Sequence, residues 1–416
     1  MSTKRRARRA GTTGSPALEY LGLIRKRMQA IRREMPALTK MGEKMAGELL
    51  AGGALFAPPV ASFWRNEFSG RAGGLMAIRH RPWSQPRHSH DVCYFALPRA
   101  DRWDDRAEEQ LRTLVKTRAQ LFAVGRPDEL GGRADPARFA AFTGGVPDAQ
   151  GLYAYGEHRP LAPLRLFELM VRGWVTAGEM IGAATRAGKM PIVYMSVWFE
   201  GSSVRNASML KWNNLREPRL MSVFHENMYI PPMEAGRVGG EFLDFLEGLA
   251  GTLESQSERL AAAGRWLADA WRAHKRIWTV LVGHSYPEIL DFPSQHRERD
   301  YPVAWGRSMS NLAKAFPRGL GAGDVGLHLG YGPVNVPAAR GLLRRGVRLI
   351  HTTPYGPMAD MRPHRNFLWF DLPWRPGDGT VDVPGYGVRV LPGSSSAQTM
   401  AFFAILCEMA ERMGWR

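Results

Sequence analysis

Trp278-Thr279-Val280-Leu281-Val282 running into Gly283-His284-Ser285 is the stretch on which the fold turns. It is a short apolar run without strict alternation, as expected of a strand covered by helices on both faces. It ends on a glycine and a hydroxyl ahead of a helical stretch. The arrangement recurs downstream. Asp324-Val325-Gly326-Leu327-His328-Leu329 leads into Gly330-Tyr331-Gly332, and Val347-Arg348-Leu349-Ile350-His351-Thr352-Thr353 leads into Pro354. Short buried strands alternating with helical stretches predict an α/β layered fold with a parallel sheet.

The first half repeats the order. Leu55-Phe56-Ala57 passes through Ser62 to Arg71-Ala72-Gly73-Gly74-Leu75, then come Asp91-Val92-Cys93-Tyr94-Phe95-Ala96 and Gln120-Leu121-Phe122-Ala123-Val124-Gly125. Ser62 to Ser285 is 223 positions, Asp91 to Asp324 is 233 and Glu179 to Glu408 is 229. A nearly constant spacing of that length predicts a duplicated domain, because solenoid repeats have periods of about 20–50 residues.

Around these strands, apolar positions at helical spacing over 17–50 predict one or two opening helices, and 129–165 reads as an insertion or crossover. Glu168 to Gly188 reads as a helix with a basic last turn and a glycine stop. Pro191-Ile192-Val193-Tyr194-Met195-Ser196 reads as a further strand, and Glu241 to Ala273 as one long helix. The expected organisation is a basic tail at 1–16, a first domain at 17–215, a linker and helix at 216–254 and a second domain at 255–416.

The chain has 416 residues, 44% hydrophobic and 23% charged, which is ordinary globular composition. Cys93 and Cys407 are its two cysteines, too few for a disulfide framework, and they point to a reducing, cytoplasmic setting. No apolar run approaches the roughly 18 residues of a membrane helix. Arg5-Arg6 and Arg8-Arg9 lead into Ala10-Gly11-Thr12-Thr13-Gly14-Ser15-Pro16 without an apolar core, so an unprocessed tail is expected rather than an export signal. The net charge of +17 includes five cations among the first nine residues, a tail able to contact polyanions without specificity. Elsewhere arginines mix with acids, and no zinc-finger spacing or aromatic-rich basic strand appears. An arginine-rich background composition accounts for the rest, although the excess also suits an anionic ligand.

In doubly wound sheets, ligands sit beyond the carboxyl ends of the strands. Three consecutive strand ends carry glycines or hydroxyls here: Gly283-His284-Ser285, Gly330-Tyr331-Gly332-Pro333-Val334-Asn335, and His351-Thr352-Thr353. Singly, such turns are more often structural. Together they favour a phosphate-type ligand held by backbone N–H groups and hydroxyls. His80, His88, His90 and Cys93 are metal-capable types without a recurring ligand spacing, so no metal and no cofactor are expected. Ser394-Ser395-Ser396 reads first as a helix N-cap, with ligand contact as the second reading.

The Gly-His-Ser turn after a strand, Arg71-Ala72-Gly73-Gly74-Leu75, and the Asp-led strand running into a glycine loop resemble sugar isomerase (SIS) domains. Asp382 through Ser396 with the helix to Glu408, and Gly178-Glu179 through Val193, resemble that family's closing segments. The resemblance covers most of 40–210 and 250–416. It implies two flavodoxin-like three-layer α/β/α domains in tandem, each with a five-stranded parallel sheet, binding a sugar phosphate. It also implies homo-oligomers, because SIS domains pair.

Carried over residue by residue, the binding set is Gly283, Ser285, Gly330, Tyr331, Gly332, Asn335, Thr352 and Thr353, with Ser62 as the weaker counterpart of Ser285. The family's second loop reads Ser-x-Ser-Gly. This chain has Ala96-Leu97-Pro98-Arg99 and Leu329-Gly330-Tyr331-Gly332 instead, so those hydroxyls are missing from both halves. An aldose–ketose isomerase needs a carboxylate to move a proton and commonly a histidine to open the ring. Glu288 and His284 are the catalytic candidates, with Glu67 the corresponding acid of the first half and His328 and His351 on neighbouring strands. The structural alternative is that Glu288 and Glu67 merely favour early helical positions. The leading expectation is a sugar-phosphate isomerase, an intramolecular oxidoreductase. The alternative is a non-catalytic sugar-phosphate sensor or scaffold with a degenerate site, and a polyanion binder driven by the tail ranks third.

Overall fold

A computed structural model describes residues 14–61, 63–68, 70–79, 88–98, 103–145, 152–153, 161–210, 222–281, 304–307, 316, 319–330, 335–353, 364–372 and 377–415. The first half runs α1 (Pro16–Arg33), α2 (Met35–Leu50), β1 (Leu55–Phe56), α3 (Trp64–Phe68), β2 (Val92–Ala96), α4 (Asp105–Leu114), β3 (Gln120–Val124), β4 (Ala141–Phe142), α5 (Leu164–Arg186) and α6 (Ser202–Leu210). The second runs α7 (Arg237–Glu254), α8 (Ser257–Arg272), β5 (Ile277–Leu281), β6 (Ala304–Arg307), β7 (Val325–Leu329), α9 (Val336–Arg344), β8 (Arg348–Thr353), β9 (Phe367–Asp371), β10 (Gly379–Val381), β11 (Val390–Pro392) and α10 (Ser394–Met413).

The α/β class with parallel sheets is what the apolar runs predicted. One sheet has the order β6-β5-β7-β8-β9, parallel throughout. Counted along the chain this is 2-1-3-4-5, the doubly wound order of flavodoxin-like sheets. The other has the order β1-β2-β3-β4, also parallel. Its four strands among the described residues correct the expectation of five. The outer position beside β1 is reduced to a single parallel bridge, Phe56 to Arg79. Nor does 191–196 join the sheet as a strand. Its backbone bridges antiparallel to Leu75 on one side and Phe224 on the other, with Met76 N–H donating to the Ile192 carbonyl at 2.8 Å and Ile192 N–H to Val223 at 3.0 Å.

Matched contacts link the two halves. Asp91 and Asp324 each precede the strand beside the first one of their sheet. Each carboxylate accepts the N–H that leads into that first strand, Ala54 or Arg276, at 2.9 Å. Each also accepts an N–H three residues back, from His88 at 3.1 Å or Gly321 at 2.9 Å. In the helical layer, α2 packs on α5 and α8 packs on α10. Both pairs approach backbone to backbone at a glycine. A Cβ on Gly42 would lie 2.6 Å from Met180 N, and one on Gly264 would lie 2.9 Å from Met409 N.

The opening helices are exchanged, α1 packing on α10 and α7 on α5. Glu179 of α5 therefore receives Gly236 N–H at 2.6 Å and Gly239 N–H at 2.8 Å at the start of α7, as well as the Thr39 hydroxyl at 2.9 Å. Glu408 of α10 receives Ala17 N–H at 3.2 Å and the Ser15 hydroxyl at the start of α1. A carboxylate at each helix N-terminus satisfies orphan donors and complements the dipole. The result is a shared apolar core centred on α5 and α10, which are buried on nearly every face, with a separate smaller cluster around Val280, Leu342 and Leu349 in the second half.

The long helix expected over 241–273 breaks at Ser255–Gln256, because α7 and α8 must lie against different partners. Gln256 fixes the break by bonding both backbone groups of Asp371 at the end of β9, at 2.8 and 3.1 Å. The stop of α5 was legible. Gly188 is left-handed (φ +72°), with Gly188 N–H donating to Thr185 and Lys189 N–H to Ala184, both at 2.9 Å.

Candidate functional site at the carboxyl end of the second sheet

The direction of winding reverses between β5 and β7, so their carboxyl ends open the crevice in which doubly wound folds bind ligands. Gly283, His284, Ser285 and Glu288 follow β5 in sequence and lie outside the described residues, as do Tyr331, Gly332 and Ser62. Gly330, Asn335, Thr352 and Thr353 fall within them.

Gly330 closes β7, its N–H donating to the Thr352 carbonyl at 3.2 Å. A Cβ there would lie 2.6 Å from the imidazole of His328, two residues back on the same strand. Asn335 is the N-cap of α9 and accepts Ala338 N–H at 3.1 Å, a use its type predicts. Thr352 pairs in register with Leu329, and Thr353 ends the strand beside Asp371. Leu329 in turn receives the Gln398 amide of α10 at 3.1 Å, which brings the first turns of α10 to this edge of the sheet.

Several hydroxyls here are fully buried. Thr279 on β5, Thr352 on β8, and Ser396 and Thr399 on α10 have no hydrogen-bond partner among the described residues. Buried hydroxyls normally find partners, so four without one among the described residues, on β5, β8 and α10, set this end of the sheet apart. Thr352 and, on a second reading, Ser396 were legible in the sequence as candidates, whereas Thr279 and Thr399 were not. The signal available was a hydroxyl inside an otherwise apolar strand and a run of six small or polar residues opening a buried helix.

His328 and His351 occupy the opposite face of the sheet, in register on adjacent strands. Their rings stack with centroids 4.6 Å apart and share one proton between Nδ1 atoms at 2.7 Å. Burial lowers His328 to about 3, and burial together with the neighbouring ring lowers His351 well below the ordinary imidazole range. Both are neutral at physiological pH and serve as a hydrogen-bonded core pair.

Glu67 has a structural role. It is fully buried, receives Arg71 at 2.6 Å and the Trp174 indole N–H at 2.7 Å, and so is tied into an ion pair. Arg71 also reaches Asp378 at 3.0 Å, Ser394 at 2.7 Å and the Ser395 hydroxyl, joining the first half to the N-terminal turn of α10. Of the metal-capable group, His90 pairs with Glu48 at 2.7 Å and Cys93 is buried, its thiol pushed up by desolvation. Among the described residues no three such side chains converge. No helix among them is long and apolar enough to cross a membrane.

No protein-family model matches the chain, and no curated protein matches it. Among solved structures it is similar to the C-terminal domain of glucosamine-fructose-6-phosphate aminotransferase from Francisella tularensis, at 10% identity over 97% of both chains with a TM-score of 0.47. It is also similar to a provisionally named phosphosugar isomerase from Silicibacter pomeroyi, at 11% identity over 97% of this chain and 99% of that one, TM-score 0.46. A provisionally named sugar-binding protein from Salmonella typhimurium aligns at 7% identity over 95% and 98%, TM-score 0.48. These names belong to the class that the sequence resembles. At such low identity and TM-score the likeness assigns no activity, and the parallel, doubly wound architecture stands on the strand order itself.

Proposed function

We propose that the chain binds a sugar phosphate at the carboxyl end of its second sheet and interconverts aldose and ketose forms. The observation that carries this reading is the switch point between β5 and β7, accompanied by the buried hydroxyls of Thr279 and Thr352 and of Ser396 and Thr399 on α10, which have no partner among the described residues. In this reading Gly283, Ser285, Gly330, Tyr331, Gly332, Asn335, Thr352 and Thr353 line or shape the site, with Ser62 as a vestigial counterpart. His284 assists ring opening. The Glu288 carboxylate takes the proton from C2 of the open-chain aldose, giving an enediolate, and returns it to C1 as a second proton passes from O2 to O1.

The matched aspartate clips, glycine contacts and exchanged helices support a gene duplication and fusion, with domains at 17–215 and 255–416. A cytoplasmic protein that pairs with further copies fits the same reading. A second reading, a sensor that kept the fold and lost catalysis, is favoured by the absence of the Ser-x-Ser-Gly hydroxyls from both second loops.

Glu288→Gln separates the two. Isomerisation of a sugar-phosphate panel followed by proton NMR should be abolished while thermal stabilisation by the same compounds is retained. A wild-type chain stabilised by sugar phosphates but turning none over supports the sensor. A chain stabilised by none of them overturns both.

A further inference from the structure

Six exposed cations gather at the amino edge of the second sheet, the pole opposite the crevice. Arg272 and Arg412 lie in the last turns of α8 and α10, Lys275 and Arg276 precede β5, and Arg344 and Arg345 precede β8. We propose that this edge binds the phosphodiester backbone of nucleic acid without reading its sequence. The inference is independent of the sugar-phosphate reading and of the basic tail.

Short contacts hold the six to one surface. The turn at 319–323 is flanked by three of them. Arg276 donates to the Gly319 carbonyl, the stem of Lys275 lies against Gly323, and Arg345 Nε donates to the Leu320 carbonyl at 3.1 Å. Gly323 N–H donates to the Gly346 carbonyl at 3.3 Å, which seats the turn beside Arg345. Arg272 donates to the Arg412 carbonyl along the same edge. Little acid balances this charge. Arg276 meets Asp324 at 2.9 Å and Arg412 meets Glu408 at 3.9 Å, both carboxylates being buried. Among the described residues, Arg272, Lys275, Arg344 and Arg345 meet no carboxylate.

Helix ends and background composition do not account for the cluster. A cation in the last turn complements a helix dipole, which covers Arg272, Arg344 and Arg412 but not the other three. The first half is an internal comparison, because the same background composition applies to it. Ala54 and Arg276 N–H donate to the matched aspartates, and Gln120 and Arg348 N–H donate to the carbonyls of those aspartates at 2.8 and 2.9 Å. Glu179 and Glu408 match on the long helices. Aligned on these anchors, the six places hold Leu50, Gly53, Ala54, Lys116, Thr117 and Ala183 in the first half, one cation instead of six. The fold itself does not need the other five.

The kind of partner follows from what surrounds the charge. The centre of a protein–protein interface is apolar and aromatic. None of the large apolar side chains exposed among the described residues belongs to the segments that form this edge. It offers guanidinium and ammonium groups around a turn with glycine at 319, 321 and 323. Guanidinium forks match phosphate oxygens, and a turn without bulky side chains lets a charged backbone lie close.

The test is fluorescence anisotropy of the full chain with labelled duplex DNA and with labelled single-stranded RNA, from about 50 to 200 mM salt. At least one should bind, with log affinity falling linearly against log salt. Lys275→Ala, Arg344→Ala and Arg345→Ala together should weaken binding at least about tenfold and flatten the salt slope by roughly 2–3, at about 0.9 per lost phosphate contact on a duplex and 0.7 on a single strand. Arg344→Lys with Arg345→Lys should keep binding, and circular dichroism checks that each variant folds. The same loss should appear when Lys4, Arg5, Arg6, Arg8 and Arg9 have all been replaced by alanine. No binding to either nucleic acid, binding indifferent to the triple substitution, or complete loss on neutralising the tail alone overturns the proposal. So does polyglutamate competing on equal terms, which would mark an acidic protein as the partner.

Discussion

Replacing Arg71 by alanine tests how the two halves are joined. The guanidinium is fully buried and holds Glu67 at 2.6 Å and Asp378 at 3.0 Å. At an effective dielectric constant near 20, each such pair is worth roughly 5 kcal/mol of Coulomb attraction. Most of that is offset by the desolvation of three charges, so the intact network contributes little net stability. The truncation is different, because it leaves two buried carboxylates without their cation and strips the Ser394 hydroxyl of its donor. Breaking a buried pair in this way costs about 3–5 kcal/mol. The exposed pair Arg112–Glu109, with side chains 61% and 67% accessible, is the control, and Arg112→Ala should cost under about 1 kcal/mol. The assay is urea unfolding followed by circular dichroism. A loss for Arg71→Ala below about 1 kcal/mol would refute the reasoning. Arg71→Lys should recover only part of the loss, because an ammonium cannot span Glu67 and Asp378 with the planar fork.

Further consequences follow from the same geometry. Glu179→Ala removes the acceptor of two helix N–H groups and of Thr39, and should cost about 2–4 kcal/mol in the same assay. Gly42→Ala and Gly264→Ala should each destabilise by about 1–3 kcal/mol, since backbone rather than flexible side chain blocks the added methyl. Acidification should weaken the fold through His328 and His351. Their folded values lie below the ordinary 6.5, so the unfolded chain binds more protons. Their contribution is fully present above about 6.5 and is lost as pH falls below it, so the slope of stability against pH is positive there. Urea midpoints of a His328→Asn, His351→Asn double variant should lose that slope between pH 6.5 and 5, and an unchanged slope would contradict the assignment.

What the sequence disclosed and what it hid divide along physical lines. β2, β3, β5, β7 and β8 were legible because a strand covered on both faces must be apolar throughout, as Val92–Ala96 is. β4, two residues long, carries too little pattern to register. β9, Phe367–Asp371, has an apolar run that could have been read and was not. The spacing of Asp91 and Asp324 was visible, but their task of fastening the neighbouring strand depends on a backbone amide 37 or 48 positions away. The exchange of α1 and α7 is a tertiary fact, invisible to local periodicity. So is the ion pair that binds Glu67, which as a lone glutamate after a serine looked like an acid catalyst.

Isothermal titration of the full chain with fructose 6-phosphate, glucose 6-phosphate and glucosamine 6-phosphate, against Ser285→Ala and Thr352→Val, tests the central claim most directly. Binding of at least one compound by the wild-type chain, weakened about tenfold or more in both variants, is the predicted result. Failure of all three to bind, or binding indifferent to both substitutions, would contradict a sugar-phosphate site at the end of the second sheet.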